Sequence, residues 1–142
     1  MAGEGEAIVR RMWAAINRRS SADEVMTEIE ALLHAEVEYV NPPDAIERGT
    51  RRGPDGVRLA FKNYYEGVGP DATFDIEELI ERGDRVFVRG RIHGVGASRG
   101  TEVMGPGIAA IITIRDNRVY RMEWYWNKDE ARAKFEGGTT AE

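Results

Sequence analysis

Few residues in this chain are suited to chemistry. Its 142 residues include no cysteine and two histidines, His34 and His93. Without thiols there can be no disulfide framework, thiolate metal site or cysteine nucleophile. The two histidines stand far apart in sequence and give no ligand cluster of usable spacing, so no metal is expected. His93 follows Arg91 by two residues, which puts both on one face if the segment is a strand. Imidazole titrates near neutral pH, and a neighbouring guanidinium disfavours its charged form, leaving a neutral base able to take a proton. The alternative is a histidine bonded to backbone or facing solvent past the strand end. His34 reads as a cation at the C-terminus of a helix. Trp124 and Trp126 have the same two-residue spacing and would form a large apolar wall suited to a ring-containing ligand, or simply fill a core. Alternation turns Glu123 to the opposite face, toward a surface or an interface. Gly94, Gly96, Gly100, Gly105 and Gly107 lie in an expected strand hairpin, where they permit bends rather than cradle a phosphate.

The elements that position these residues follow from periodicity. Ile8, Val9, Met12, Trp13 and Ile16 make one stripe of a first helix. Ser21 and Glu24 have capping-box spacing and open a second, with Val25, Met26, Ile29, Leu32 and Leu33 on its apolar face. From residue 36 the period becomes two: Val37 and Tyr39 share a face, and Asn41-Pro42-Pro43 stops the strand. Residues 44–56 read as a long loop. Asp55 then caps a third helix with the stripe Val57, Ala60, Phe61, Tyr64, Tyr65 and Val68. Four strands follow in a meander, over residues 74–81, 85–95, 102–115 and 119–126. Asn127 and Glu130 start a short last helix that ends near Phe135. The order predicts an α+β fold, a single domain over 1–142 with helices packed on one face of a curved antiparallel sheet.

Composition narrows the function classes. Twenty basic and 25 acidic residues give a net charge of −5, and the basic residues are scattered, so no nucleic-acid partner is expected. No apolar stretch approaches the ~20 residues that cross a bilayer, so no membrane partner is expected either. The acidic N-terminal residues lack an apolar signal core, which points to the cytoplasm. No dinucleotide fingerprint follows a strand, so no cofactor is expected.

The element order resembles the nuclear transport factor 2-like fold, a cone with a pocket between curved sheet and helices. Several segments are similar to its SnoaL-like branch, named after polyketide cyclases. These are Ile8-Val9-Arg10-Arg11, Val37-Glu38-Tyr39, Gly49 and Gly53 ahead of Asp55-Gly56-Val57, Gly83-Asp84-Arg85-Val86, and Ile114-Arg115-Asp116-Asn117-Arg118-Val119. The resemblance spans about residues 5–136. It implies isomerase, hydrolase, cyclase or non-catalytic functions, which share this scaffold. Ketosteroid isomerases carry a general-base aspartate where this chain has Asn41, and an amide cannot accept that proton. Limonene-type epoxide hydrolases resemble Tyr39-Val40-Asn41-Pro42-Pro43 and carry an Arg-x-Asp where Arg91-Ile92-His93 stands. Their last-strand acid falls at Trp124, so Tyr39, Asn41 and Arg91 match and both carboxylates are absent.

The resemblance also says which face is inward: Arg91, His93 and Val95; Met104, Pro106 and Ile108; Tyr120, Met122, Trp124 and Trp126. The catalytic candidates are therefore His93 moving a proton, Tyr39 and Asn41 polarising a carbonyl, hydroxyl or water, and Arg91 holding an oxyanion. The substrate-binding candidates are Trp13, Phe61, Val95, Met104, Ile108, Met122, Trp124 and Trp126. Two classes stay open: an acid–base enzyme acting on a largely apolar cyclic substrate, and a non-catalytic module that binds a hydrophobic ligand or serves association. On the outer sheet face Ala109 and Ile111 are too apolar for solvent, while Arg121 and Glu123 need partners. A homodimer through that face answers both demands.

Overall fold

In the computed structural model the described residues are 4–18, 21–41, 49–68, 73–93 and 108–137, without the side chains of 64–68, 92 and 93. The first stripe winds α1 (Glu4–Arg18), and Ile8, Val9, Met12, Trp13 and Ile16 are all buried. α2 (Ala22–Ile29) opens on its cap, with Ser21 Oγ accepting the Glu24 N–H at 3.2 Å. The helix is shorter than its stripe predicts. One 3-10 turn (Glu30–Leu32) follows, and Leu33 already belongs to β1 (Leu33–Val40). His34 is therefore a strand residue and not a helix-end cation. Its Nδ1 accepts the Glu36 N–H at 3.0 Å, Nε2 lies 3.6 Å from Asp116 Oδ2, and the ring meets Tyr120 edge-on.

Part of the expected loop is strand: β2 (Thr50–Arg52) pairs antiparallel with β1. Gly53, at φ 76°, turns the chain directly into α3 (Gly53–Val68), a conformation that favours glycine. Asp55 thus lies in the first turn of α3 instead of capping it. The meander consists of β3 (Thr73–Arg82), β4 (Arg85–His93), β5 (Ile108–Arg115) and β6 (Arg118–Tyr125). Asp116 and Asn117, at φ 56° and 61°, make the tight turn that suits the twist of paired strands. The sheet is curved and unclosed, in the order β2-β1-β6-β5-β4-β3, and β1 runs parallel to β6.

The register shifts in three strand pairs, between Leu33 and Glu38 in β1–β6 and at two further places that bear on the site. The β3–β4 register shifts between Ile76 and Glu78, and the β5–β6 register between Thr113 and Ile114. The β5–β6 shift corrects the strict alternation expected of β6. Val119 joins Met122 and Trp124 in the inner cluster, and Tyr120 packs on His34 with the Arg115 guanidinium 3.8 Å above its ring.

Helices α1 to α3 cover the inner face, and the larger core lies beneath them. The last helix, α4 (Lys128–Gly137), crosses the opposite face instead. Asn127 Oδ1 caps it, accepting the N–H groups of Asp129 and Glu130 at 2.9 and 3.0 Å. Phe135 and Ala131 of α4 close a second cluster with Phe87, Ala109, Ile111 and Tyr125. Ala109 and Ile111 are thus fully buried by the chain's own helix. The apolar outer face therefore gives no reason for a second copy to cover it.

Candidate ligand-binding site

The inner face carries a wall of aromatic rings drawn from five elements of the chain. Trp13 comes from α1, Tyr39 from β1, Phe61 from α3, Phe74 from β3 and Trp124 from β6. Trp13 meets Phe74 edge-on at 5.3 Å between centroids and lies tilted against Trp124 at 5.7 Å. Tyr39 is 5.9 Å from Trp124 and 6.2 Å from Phe61, and Phe74 is 6.1 Å from Trp124. Such offset and edge-to-face pairs stabilise a fixed arrangement beyond what burial alone gives. Ile108 and Met122 lie in the same buried cluster.

Asn17 fixes this wall on the β3 side, a role that sequence reasoning missed. Its Nδ2 donates to Phe74 O at 2.9 Å, and its Oδ1 accepts the Phe74 N–H at 2.8 Å. The only hint was a polar residue one turn beyond Trp13 on a buried stripe. Glu81 anchors the other end of α1, accepting from the N–H groups of Gly5 and Glu6 at 3.3 and 3.1 Å. A carboxylate at a helix start complements the dipole there.

The structure brings together Trp13, Tyr39, Phe61, Ile108, Met122 and Trp124 of the expected site. Asn41 follows β1 and is half-buried, and its Nδ2 donates to Gly49 O at 3.4 Å, tying β1 to the start of β2. Arg91 corrects the expected inward row. It shares the outer face with Phe87 and Arg89, and its Nε stands 3.0 Å from Glu77 Oε2. The β3 bulge places Glu77 there as the extra residue. Trp126 is a second correction: it lies one residue past β6 and is 50% exposed, outside the wall. His93 ends β4 opposite Thr73, and its side chain lies outside the described residues, as do Val95, Met104 and Pro106.

Charge is concentrated on the outer face. Arg121 Nη2 stands 3.1 Å from Glu123 Oε2, and its Nη1 3.6 Å from Glu38, which also pairs with Arg52. Lys134 of α4 approaches Glu123 at 3.5 Å. Burial opposes the charge on Lys134, but the Tyr125 hydroxyl and Glu123 outweigh it, so its pKa stands above the ordinary value. Burial and the Glu123 charge push the Tyr125 phenol up as well. Farther along, Arg132 and Arg89 both bond Glu78 and hold its carboxyl below the usual range. Glu123, expected at a surface or interface, is thus buried and paired within its own chain. Among the described residues, no group of three or more His, Cys, Asp or Glu is placed to hold a metal ion. Nor is any described helix long and apolar enough to cross a membrane.

A curved, unclosed sheet whose helices enclose an inner aromatic wall defines an α+β protein of the nuclear transport factor 2-like superfamily. Within it, the chain belongs to the SnoaL-like domain family, whose model matches residues 9–122. No curated protein sequence matches it. Among solved structures, TerC co-crystallised with polyporic acid is 22% identical, with 95% of this chain and 100% of that one covered at a TM-score of 0.70. Bal32a, from a soil-derived mobile gene cassette, is 17% identical over 89% of this chain and 92% of that one, TM-score 0.72. An NTF2-like protein of unknown function from Burkholderia pseudomallei K96243 is 20% identical over 93% and 97%, TM-score 0.67. At these identities the likeness is one of fold.

Proposed function

We propose that this chain is a cytoplasmic, single-domain protein that takes up a small, largely apolar, ring-containing molecule between its helices and the inner face of the sheet. The observation that carries this reading is the five-ring wall of Trp13, Tyr39, Phe61, Phe74 and Trp124. Apolar walls with a few polar groups are the usual lining of small-molecule sites. Support also comes from TerC, which shares the fold and was co-crystallised with polyporic acid.

Acid–base turnover is the second reading, and Tyr39 favours it. Its ring belongs to the aromatic wall, which puts a titratable phenol at the proposed site. Tyr39 would polarise a carbonyl, hydroxyl or water with Asn41 beside it, and His93 would move the proton, giving isomerisation, cyclisation or water addition. Among the described residues Glu81 is the carboxylate on the inner face, and its oxygens are committed to the start of α1.

A panel of epoxides, steroid enones and polyketide-like ketones, read first by thermal stabilisation and then by turnover, tests both readings. Binding only the folded state raises its stability. Stabilisation without turnover supports the binding reading. Turnover that His93→Gln abolishes supports catalysis. A panel that produces no stabilisation contradicts the proposal.

A further inference from the structure

We propose that the ligand of the inner face presents a hydrogen-bond acceptor to the indole N–H groups of Trp13 and Trp124, so that a ketone or quinone-type oxygen on a ring is favoured over a hydroxyl or amine donor. This deepens the binding reading above and rests on it. Trp13 is 2% exposed and Trp124 8%, and the Nε1 atom of each is buried without a hydrogen-bond partner among the described residues. Buried N–H groups in folded proteins are nearly always paired, so two unpaired ones in adjacent side chains call for a partner. The rings lie 5.7 Å apart and tilted by 35°, which makes them one patch of the wall.

Their surroundings leave the role open to a ligand. Phe61 and Phe74 have no acceptor. Asn17, one turn beyond Trp13, already uses both amide atoms on the Phe74 backbone. An indole nitrogen only donates, so the complementary group must accept. A ligand that offered only a donor would leave both indole N–H groups unpaired, whereas a carbonyl oxygen satisfies at least one. Sites built to bond a polar atom reject analogues that lack it, because the site's own group is then stranded.

Three bicyclic probes of similar size separate the possibilities: 1-indanone carries an acceptor, indane neither group, and indole a donor alone. Titration calorimetry on the full chain should show 1-indanone binding about fivefold tighter than indane, the worth of one buried hydrogen bond, with indole no tighter than indane. Trp124→Phe should lower the ratio of 1-indanone to indane affinity, whatever it does to the affinity for indane itself. A second measurement needs no variant. The chain has three tryptophans. On the 15N-labelled wild type, 1-indanone should move the indole N–H resonances of Trp13 and Trp124 downfield and leave that of exposed Trp126 in place. Equal affinity for indane and 1-indanone, with those resonances unmoved, would overturn the acceptor preference and leave the binding reading standing. Failure of all three probes to bind would overturn both.

Discussion

Lys134 Nζ stands 3.5 Å from Glu123 Oε2, tying the C-terminal helix by charge to the sheet face it covers. Glu123 is 8% exposed and meets Arg121 as well, while the Lys134 side chain is 55% exposed. The buried acid thus serves two cations, and the exposed lysine serves one end of the chain of pairs. Glu123→Ala should cost about 1–3 kcal/mol in urea unfolding, because it removes a buried carboxylate shared by two cations and leaves Arg121 with Glu38 alone. Lys134→Met should cost under about 1 kcal/mol, as expected of an exposed partner. Equal costs would contradict this assignment.

Phe135 holds the same helix by packing. It is 2% exposed, its ring is 5.5 Å from Phe87, and Arg85 donates to its carbonyl at 2.9 Å. Phe135→Ala should cost about 3 kcal/mol and loosen α4 from Ala109 and Ile111. Light scattering should show a concentration-dependent increase in mass for the variant that the wild type lacks, as Ala109 and Ile111 become exposed. A variant whose mass and stability match those of the wild type would contradict the intramolecular cover.

The acid limb of stability should report Glu78. Its carboxyl pKa is lowered in the folded chain by hydrogen bonds from Arg132 and Arg89. A lowered folded pKa means that the stabilisation is complete above the unfolded value, near 4.5, and is lost as pH falls through the folded one. Glu78→Gln should therefore flatten stability against pH below about 4.5 and lower it at neutral pH. Parallel acid limbs for variant and wild type would contradict the pairing.

Most of the framework was legible in the sequence because its signals are local. The α1 stripe, the Ser21 and Asn127 caps and the Asp116-Asn117 turn each depend on residues a few positions apart. What could not be read depends on long-range geometry. The β6 bulge moved Tyr120 out of the wall, and Arg91 faces outward because β4 alternates regularly from Phe87 on the outer face, a phase that nothing local to Arg91 reveals. His34 looked like a helix end because Leu32 and Leu33 continue the helical stripe, yet Leu33 pairs with Val119 in the sheet. The cover of the outer face was hidden for the same reason. Nothing local to Ile111 says that Phe135 will lie over it.

Gly90 marks where β4 approaches β3 too closely for a side chain. An added Cβ would overlap the Asp75 carbonyl oxygen and come within 2.5 Å of the Phe74 ring. Gly90→Ala should cost on the order of 1–3 kcal/mol and displace Phe74 from its contacts with Trp13 and Trp124. A crystal structure of the variant should show the ring moved. An unchanged Phe74 with unchanged stability would show that the strands have room to spare.

The most direct test of the inner aromatic wall as the binding site is a set of intermolecular NOEs between 1-indanone and the labelled protein. Contacts should run from the probe's ring protons to Trp13, Phe61, Phe74, Met122 and Trp124, with none to Phe87 or Phe135 on the outer face. Contacts confined to the outer cluster or to Trp126, with the inner rings silent, would contradict the account.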